Sequence, residues 1–144
     1  MMAKRILLPL DGEGAAEVLV PLVGALAREV GSSVRLLRVF PVPETVVGAH
    51  GRTVAYVDQE MARLTAEGLD DLRRFEAPLD GVPVESVVRF GDRVEETLLE
   101  AEAFGADLIA LATANRGPLR RLLAPGAAER IARKAPLPVL LLRS

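Results

Sequence analysis

Cysteine and tryptophan are absent from the 144-residue chain, and histidine occurs once, at His50. Without cysteine there is no disulfide, no thiolate metal site and no thiol nucleophile. With one histidine, a zinc site built on several imidazoles is impossible. A serine–histidine–aspartate triad would have to combine His50 with Ser32, Ser33, Ser86 or Ser144, and none of these sits in a nucleophile elbow. His50, in the loop-like VVGAHGRT, therefore reads as a solvated loop residue. The aromatics are four phenylalanines and one tyrosine, too few for a base-stacking platform. Of the 18 basic residues only Lys4 and Lys134 are lysine, and the formal net charge is −2. That balance argues against nucleic-acid binding, which needs a basic face. No uncharged apolar run is long enough for a membrane span. The opening MMAKRILLPLDGEG has an apolar run that stops before Asp11, too short for a signal-peptide core, and no small-residue cleavage site comes after it. A cytoplasmic protein is the expectation.

Half of the residues are hydrophobic, and the length suits one domain spanning residues 1–144. Short apolar runs alternate with helical patterns. KRILLPL (residues 4–10) is a buried strand closed by the turn DGEG. A helix comes next over residues 15–30, with Val18, Leu22, Ala25, Leu26 and Val30 at helical spacing and Gly31 as its C-terminal stop. Pro21 falls inside it and predicts a kink. Residues 32–40 form a second strand. PVPETVVGAHGRT, with two prolines, two glycines and no period, is a loop, and the sequence does not determine whether it closes over a neighbouring crevice. A long helix over 54–75 carries the stripe Met61, Leu64, Leu69, Leu72 and Phe75. VESVVRF (84–90) is a third strand, broken by Gly91-Asp92. Asp92 with Glu95 resembles a capping box, and the helix behind it carries Val94, Leu98 and Ala101 on one face. ADLIALA (106–112) is nearly free of polar residues, as a strand covered on both faces would be. The loop TANRGP, an arginine-rich turn, a helix from about 126 to 134 and a last strand over 137–143 complete the chain. Strictly alternating strands and helices predict a parallel, doubly wound α/β sheet with helices on both faces.

Ligands of such sheets bind beyond the carboxyl ends of the strands, where strand order reverses. Two strand ends carry polar, glycine-bearing loops: PLDGEG after the first strand and LATANRG after the fourth. If those strands are neighbours, both loops face one crevice. Asp11 can then accept from a ribose hydroxyl or a base amine, or it can cap the first helix; position alone leaves both readings open. No GxxxxGK[ST] and no GxGxxG occurs. The paired acids Asp70–Asp71 and Glu95–Glu96 fall on helix surfaces and are expected to be solvated. Arg116, Arg120 and Arg121 can attract phosphate or form a solvated turn.

Several segments, in order and spacing, resemble the universal stress protein family over residues 3–143. RILLPLDGEGAAE resembles its opening strand, with the aspartate at Asp11. VVRFGDRVEETLLEAEAFGADLIALAT resembles its strand, glycine-led helix and apolar strand. RGPLRRLLAPGAAERIARKAPLPVLLLR resembles its closing segment. The resemblance implies an adenine nucleotide alpha hydrolase-like fold: a five-stranded parallel sheet of order 3-2-1-4-5, with the first and fourth strands adjacent. ATP-binding members resemble one another in a motif of glycine, two residues, glycine, nine residues, then glycine with serine or threonine. Here those positions are Ala112, Asn115, Pro125 and Gly126, and none matches.

The chemistry of each change is specific. Ala112 puts a methyl where backbone should approach phosphate. Asn115 is the mildest change, since asparagine tolerates a left-handed conformation. Pro125 has no N–H to offer. Gly126 keeps its N–H at a helix N-terminus but lacks the hydroxyl. The resemblance thus implies a remnant nucleotide site at Pro9, Asp11, Val39, Ala112, Asn115, Arg116, Gly126 and Ala127. The expected function is a stress-response or interaction module without a high-affinity ATP site, not an enzyme, with no resident cofactor and no metal. The alternative is a sensor that holds ATP or another adenine nucleotide through Asp11, Val39, Asn115 and Gly126. A second alternative is a slow nucleotide hydrolase. The last strand, Pro138 to Leu142, would lie at a sheet edge, and such an apolar edge needs a partner. The family resemblance implies a homodimer through that strand, and an unidentified protein partner is a further expectation.

Overall fold

The computed structural model describes residues 4–11, 16–44, 53–113 and 126–143. Its elements are β1 (Arg5–Pro9), α1 (Ala16–Val30), β2 (Ser33–Phe40), α2 (Thr53–Arg73), a 3₁₀ turn (Ala77–Leu79), β3 (Val84–Phe90), α3 (Arg93–Phe104), β4 (Leu108–Thr113), α4 (Ala127–Lys134) and β5 (Val139–Arg143). All strand pairs are parallel, in the order β3-β2-β1-β4-β5. The expected α/β architecture is therefore present, with β1 and β4 side by side.

β1 lies at the centre and its side chains alternate between two cores. Ile6 and Leu8 join Leu19, Val20, Val23, Leu72 and Phe75 under α1 and α2. Leu7 joins Val94, Ala101, Phe104, Ile109, Leu111 and Ile131 under α3 and α4. Ile6, Leu7 and Leu8 are fully buried, each worth about 1.5–3 kcal/mol of apolar transfer. Ile6, Leu7 and Leu8 run without a polar residue because neither face of the strand meets water there, whereas Arg5 at its start is exposed. Asp107 fixes the pairing of β1 with β4: its carboxylate accepts from the amides of Lys4 and Arg5, both at 3.0 Å, and its own amide donates to the Arg5 carbonyl at 2.8 Å.

Helix α1 buries a different face from the one its apolar spacing suggests. Ala16, Leu19, Val20, Val23, Gly24 and Ala27 face the sheet, whereas Val18, Leu22 and Leu26 are exposed. The helix is apolar nearly all round, so periodicity does not select a face. Small residues do. A Cβ on Gly24 would sit 2.9 Å from the Pro78 carbonyl oxygen, so the helix reaches the 3₁₀ turn only through a glycine. Arg28 locks that contact by donating to the carbonyls of Pro78 and Asp80. The helix begins before Pro21 and continues through it. Gly31 ends it as expected, with φ of 78° and its amide donating to Ala27 at 2.8 Å. The Asp92 cap of α3 is also present: its carboxylate accepts from the Glu95 amide at 3.0 Å.

Candidate functional site

A crevice opens beyond the carboxyl ends of the central strands. Pro9, Leu10 and Asp11 line it from the end of β1, Leu37 and Val39 from β2, and Leu111 and Ala112 from β4. Ala127, Ala128 and Ile131 of α4 close one side, and Arg93 and Thr97 of α3 close another. The walls are thus mostly apolar, with a carboxylate, a guanidinium and a hydroxyl among them, the usual make-up of a small-molecule site. Five of the residues expected from sequence, Pro9, Asp11, Val39, Ala112 and Ala127, come together here. Asn115 and Arg116 lie outside the described residues, as do Pro125, Arg120, Arg121 and His50. Most of the loop between the second strand and the long helix, residues 45–52, is outside them too.

The cap reading of Asp11 turns on residues 12–15, which lie outside the described residues. The Oδ2 of Asp11 meets Nη1 of Arg93 at 3.3 Å. Both side chains are partly open to solvent, so the pair contributes little stability by itself. Its importance is positional: it sets a carboxylate and a cation side by side at the crevice.

Gly126 caps α4 with φ of −67° and ψ of 172° and makes no side-chain cap hydrogen bond. One carboxylate oxygen of Glu129, in the first turn of α4, accepts from the Thr113 hydroxyl at 3.2 Å. The other is buried without a hydrogen-bond partner. That free oxygen lies 2.7 Å from where a Cβ on Gly126 would be. The carboxylate therefore fills the place that a hydroxyl-bearing side chain would take at this position. A buried acceptor left unmatched costs about 1–3 kcal/mol.

The α3 wall is anchored by charges that the sequence pattern did not expose. Glu96 is not solvated, contrary to expectation: it accepts from Arg89 Nε at 3.0 Å. Glu100 is 3% exposed. Its two oxygens accept from Arg89 Nη1 at 2.9 Å and from Arg35 Nη1 at 2.5 Å. Arg35 also donates to Glu85, and its guanidinium lies 4.2 Å from the Phe104 ring centroid. Burial works against the Arg35 charge, but hydrogen bonds to Glu85 and Glu100 outweigh it and hold its pKa above the ordinary value. Arg89 is raised likewise, first through its bond to Glu100. A signal for this network does exist in the sequence. Arg35 alternates in phase with Leu37 and Val39, so β-strand geometry turns it toward α3 rather than to solvent. Asp70, Asp71 and Glu95 are exposed, as expected.

Among the described residues, no three histidine, aspartate or glutamate side chains gather as a metal would require, and no helix is long and apolar enough to cross a membrane.

The parallel order, the crevice at the β1–β4 junction and its mixed lining define an α/β domain of the nucleotide-hydrolase-like class. The chain belongs to the universal stress protein family, whose profile matches residues 2–143. It is 30% identical to the universal stress protein in the QAH/OAS sulfhydrylase 3' region of Thermus aquaticus, covering 99% of this chain and all of that one. Its fold is similar to that of hypothetical protein MJ0577, with a TM-score of 0.83 and 25% identity over 100% of this chain and 98% of the other. A universal stress protein solved in complex with cAMP shares the fold at a TM-score of 0.69 and 14% identity, over 99% and 98% of the two chains.

Proposed function

We propose that this universal stress protein is a homodimeric stress-response and interaction module, not an enzyme, that lacks a high-affinity ATP grip. The observation that carries the reading is the N-terminus of α4. There Gly126 offers no hydroxyl, and the Glu129 carboxylate fills the space beside it. The Ala112 methyl lines the same crevice, and Pro125 has no N–H for a phosphate oxygen. Calorimetric titration with ATP and Mg²⁺, on protein stripped of nucleotide, is expected to give no heat below millimolar concentration. Micromolar binding would overturn the reading.

The other half of the crevice favours a second reading, that of an adenine-nucleotide sensor. Asp11, Val39 and the apolar walls remain able to take a nucleoside, and a relative has been solved with cAMP. Weak binding of a nucleoside or a small nucleotide is compatible with weak binding of ATP.

The dimer is supported by the edge at β5. The amide of Ile109 donates to the Pro138 carbonyl. With Ile109 opposite Val139, the ladder turns the backbone groups of Val139, Leu141 and Arg143 outward, free to pair with a twin strand. Sedimentation is expected to give twice the 15.4 kDa chain mass. Leu141→Lys is expected to give monomer or aggregate, and a dimer unchanged by it would remove β5 from the interface.

A further inference from the structure

Thr97 is fully buried, lines the crevice, and its hydroxyl has no hydrogen-bond partner. A threonine inside a helix ordinarily satisfies its hydroxyl on the carbonyl four residues back. Thr65 does so in α2, donating to Met61 at 2.7 Å. Thr97 makes no such bond, so a polar atom is held in the crevice wall unmatched by protein. One turn earlier on the same helix is Arg93. Its Nη1 meets Asp11, while its other donors have no described acceptor and its side chain is 46% exposed. Residues four apart on a helix stand about 6 Å apart on one face. The α3 wall therefore offers a hydroxyl deep in the crevice and a guanidinium at its mouth. Beside that guanidinium stands a carboxylate.

We propose that Arg93 and Thr97 make α3 a recognition wall for a nucleoside monophosphate, with Thr97 bonding to the nucleoside and Arg93 taking the single phosphate. The inference rests on the nucleotide reading of the crevice. The ligand needs a hydrogen-bonding group for Thr97 and one anionic group for Arg93, a helical turn away. A nucleoside monophosphate meets both needs. A neutral nucleoside leaves Arg93 unused. The further phosphates of a triphosphate must turn to α4, where Glu129 already stands.

Full-length wild type, Arg93→Gln and Thr97→Val are titrated with adenosine and with AMP, and each ligand-free protein is melted. AMP is expected to bind wild type about tenfold or more tighter than adenosine, as a charge-assisted bond would give. Arg93→Gln is expected to remove that advantage and leave adenosine within about twofold. Thr97→Val is expected to weaken both ligands about five- to tenfold. Its ligand-free melting temperature should nevertheless rise by about 2–5 °C, because an unmatched buried hydroxyl has gone. Two outcomes overturn the proposal while leaving nucleotide binding intact. One is Thr97→Val with unchanged affinities, which would assign the hydroxyl to packing or water. The other is Arg93→Gln weakening adenosine as much as AMP, which would make Arg93 a support for Asp11. A wild-type protein that binds neither compound up to millimolar concentration overturns the nucleotide reading itself.

Discussion

Replacing Glu100 by alanine is expected to cost about 3 kcal/mol of folding stability, the low end of the loss caused by removing one partner of a buried ion pair. The carboxylate accepts from Arg35 and Arg89 at once and is all but excluded from solvent. The two arginines are less buried, with side chains 19% and 28% exposed. Each keeps another acid, Glu85 or Glu96. Those residual partners and the access to water hold the loss to the low end. Glu100→Gln keeps the shape and one donor–acceptor contact, and is expected to lose about half as much. Urea unfolding monitored by circular dichroism measures both. A loss under about 1 kcal/mol for alanine would show that the bridge is a surface contact in energetic terms. The effect should extend to the crevice, since the bridge seats the helix that carries Arg93 and Thr97. Ligand affinity should fall in Glu100→Ala even under conditions where the protein remains folded.

Restoring the phosphate loop is the second large change. The quadruple variant Ala112→Gly, Asn115→Gly, Pro125→Gly, Gly126→Ser is expected to gain about a hundredfold or more in ATP affinity. Each recovered hydrogen bond to a charged phosphate is worth about 1.5–3 kcal/mol, and two suffice for that factor. Gly126→Ser is the substitution with a visible local consequence. The new Cβ requires the Glu129 carboxylate to move from its place 2.7 Å away. It is the free end of a flexible side chain, and the serine hydroxyl can then donate to it or to phosphate. Serine is also a good cap for α4, so the single variant should be no less stable than wild type. Calorimetry with ATP and Mg²⁺ on the quadruple variant decides the matter. An affinity no better than wild type would mean that these four positions do not limit triphosphate binding.

The strands were legible because burial on both faces leaves runs such as ILL and LIALA with no polar residue to obscure them. The capping residues were legible because Asp92 and Gly31 have few other roles that suit their neighbours. The inward face of α1 was not, because a helix apolar all round has no stripe. Its orientation is set by Gly24 reaching Pro78, a contact between residues far apart in sequence. Glu96 and Glu100 were misread or missed for a related reason. Acids on a helix look solvated until the arginines of β2 and β3 are placed opposite them, and only the sheet does that. In the crevice, Asp11, Val39 and Ala112 could be placed from strand ends and family resemblance. Arg93 and Thr97 could not, because nothing in the sequence says that α3 reaches the mouth of β1.

Asp107 carries a consequence for how the chain is made. Of the five strands of this sheet β1 leaves the ribosome first, and β2 can pair with it soon afterwards. Its other neighbour begins only at Leu108, whereas β2 has ended at Phe40. At about 10 residues per second, the chain spends several seconds with Ile6, Leu7 and Leu8 bared along one edge at the centre of the future sheet. An apolar strand left open in this way is a template for a neighbouring nascent chain. The Asp107 carboxylate, which takes the Lys4 and Arg5 amides just before β4 begins, marks the point in synthesis where that exposure can end. Slow codons placed ahead of it would lengthen the exposure.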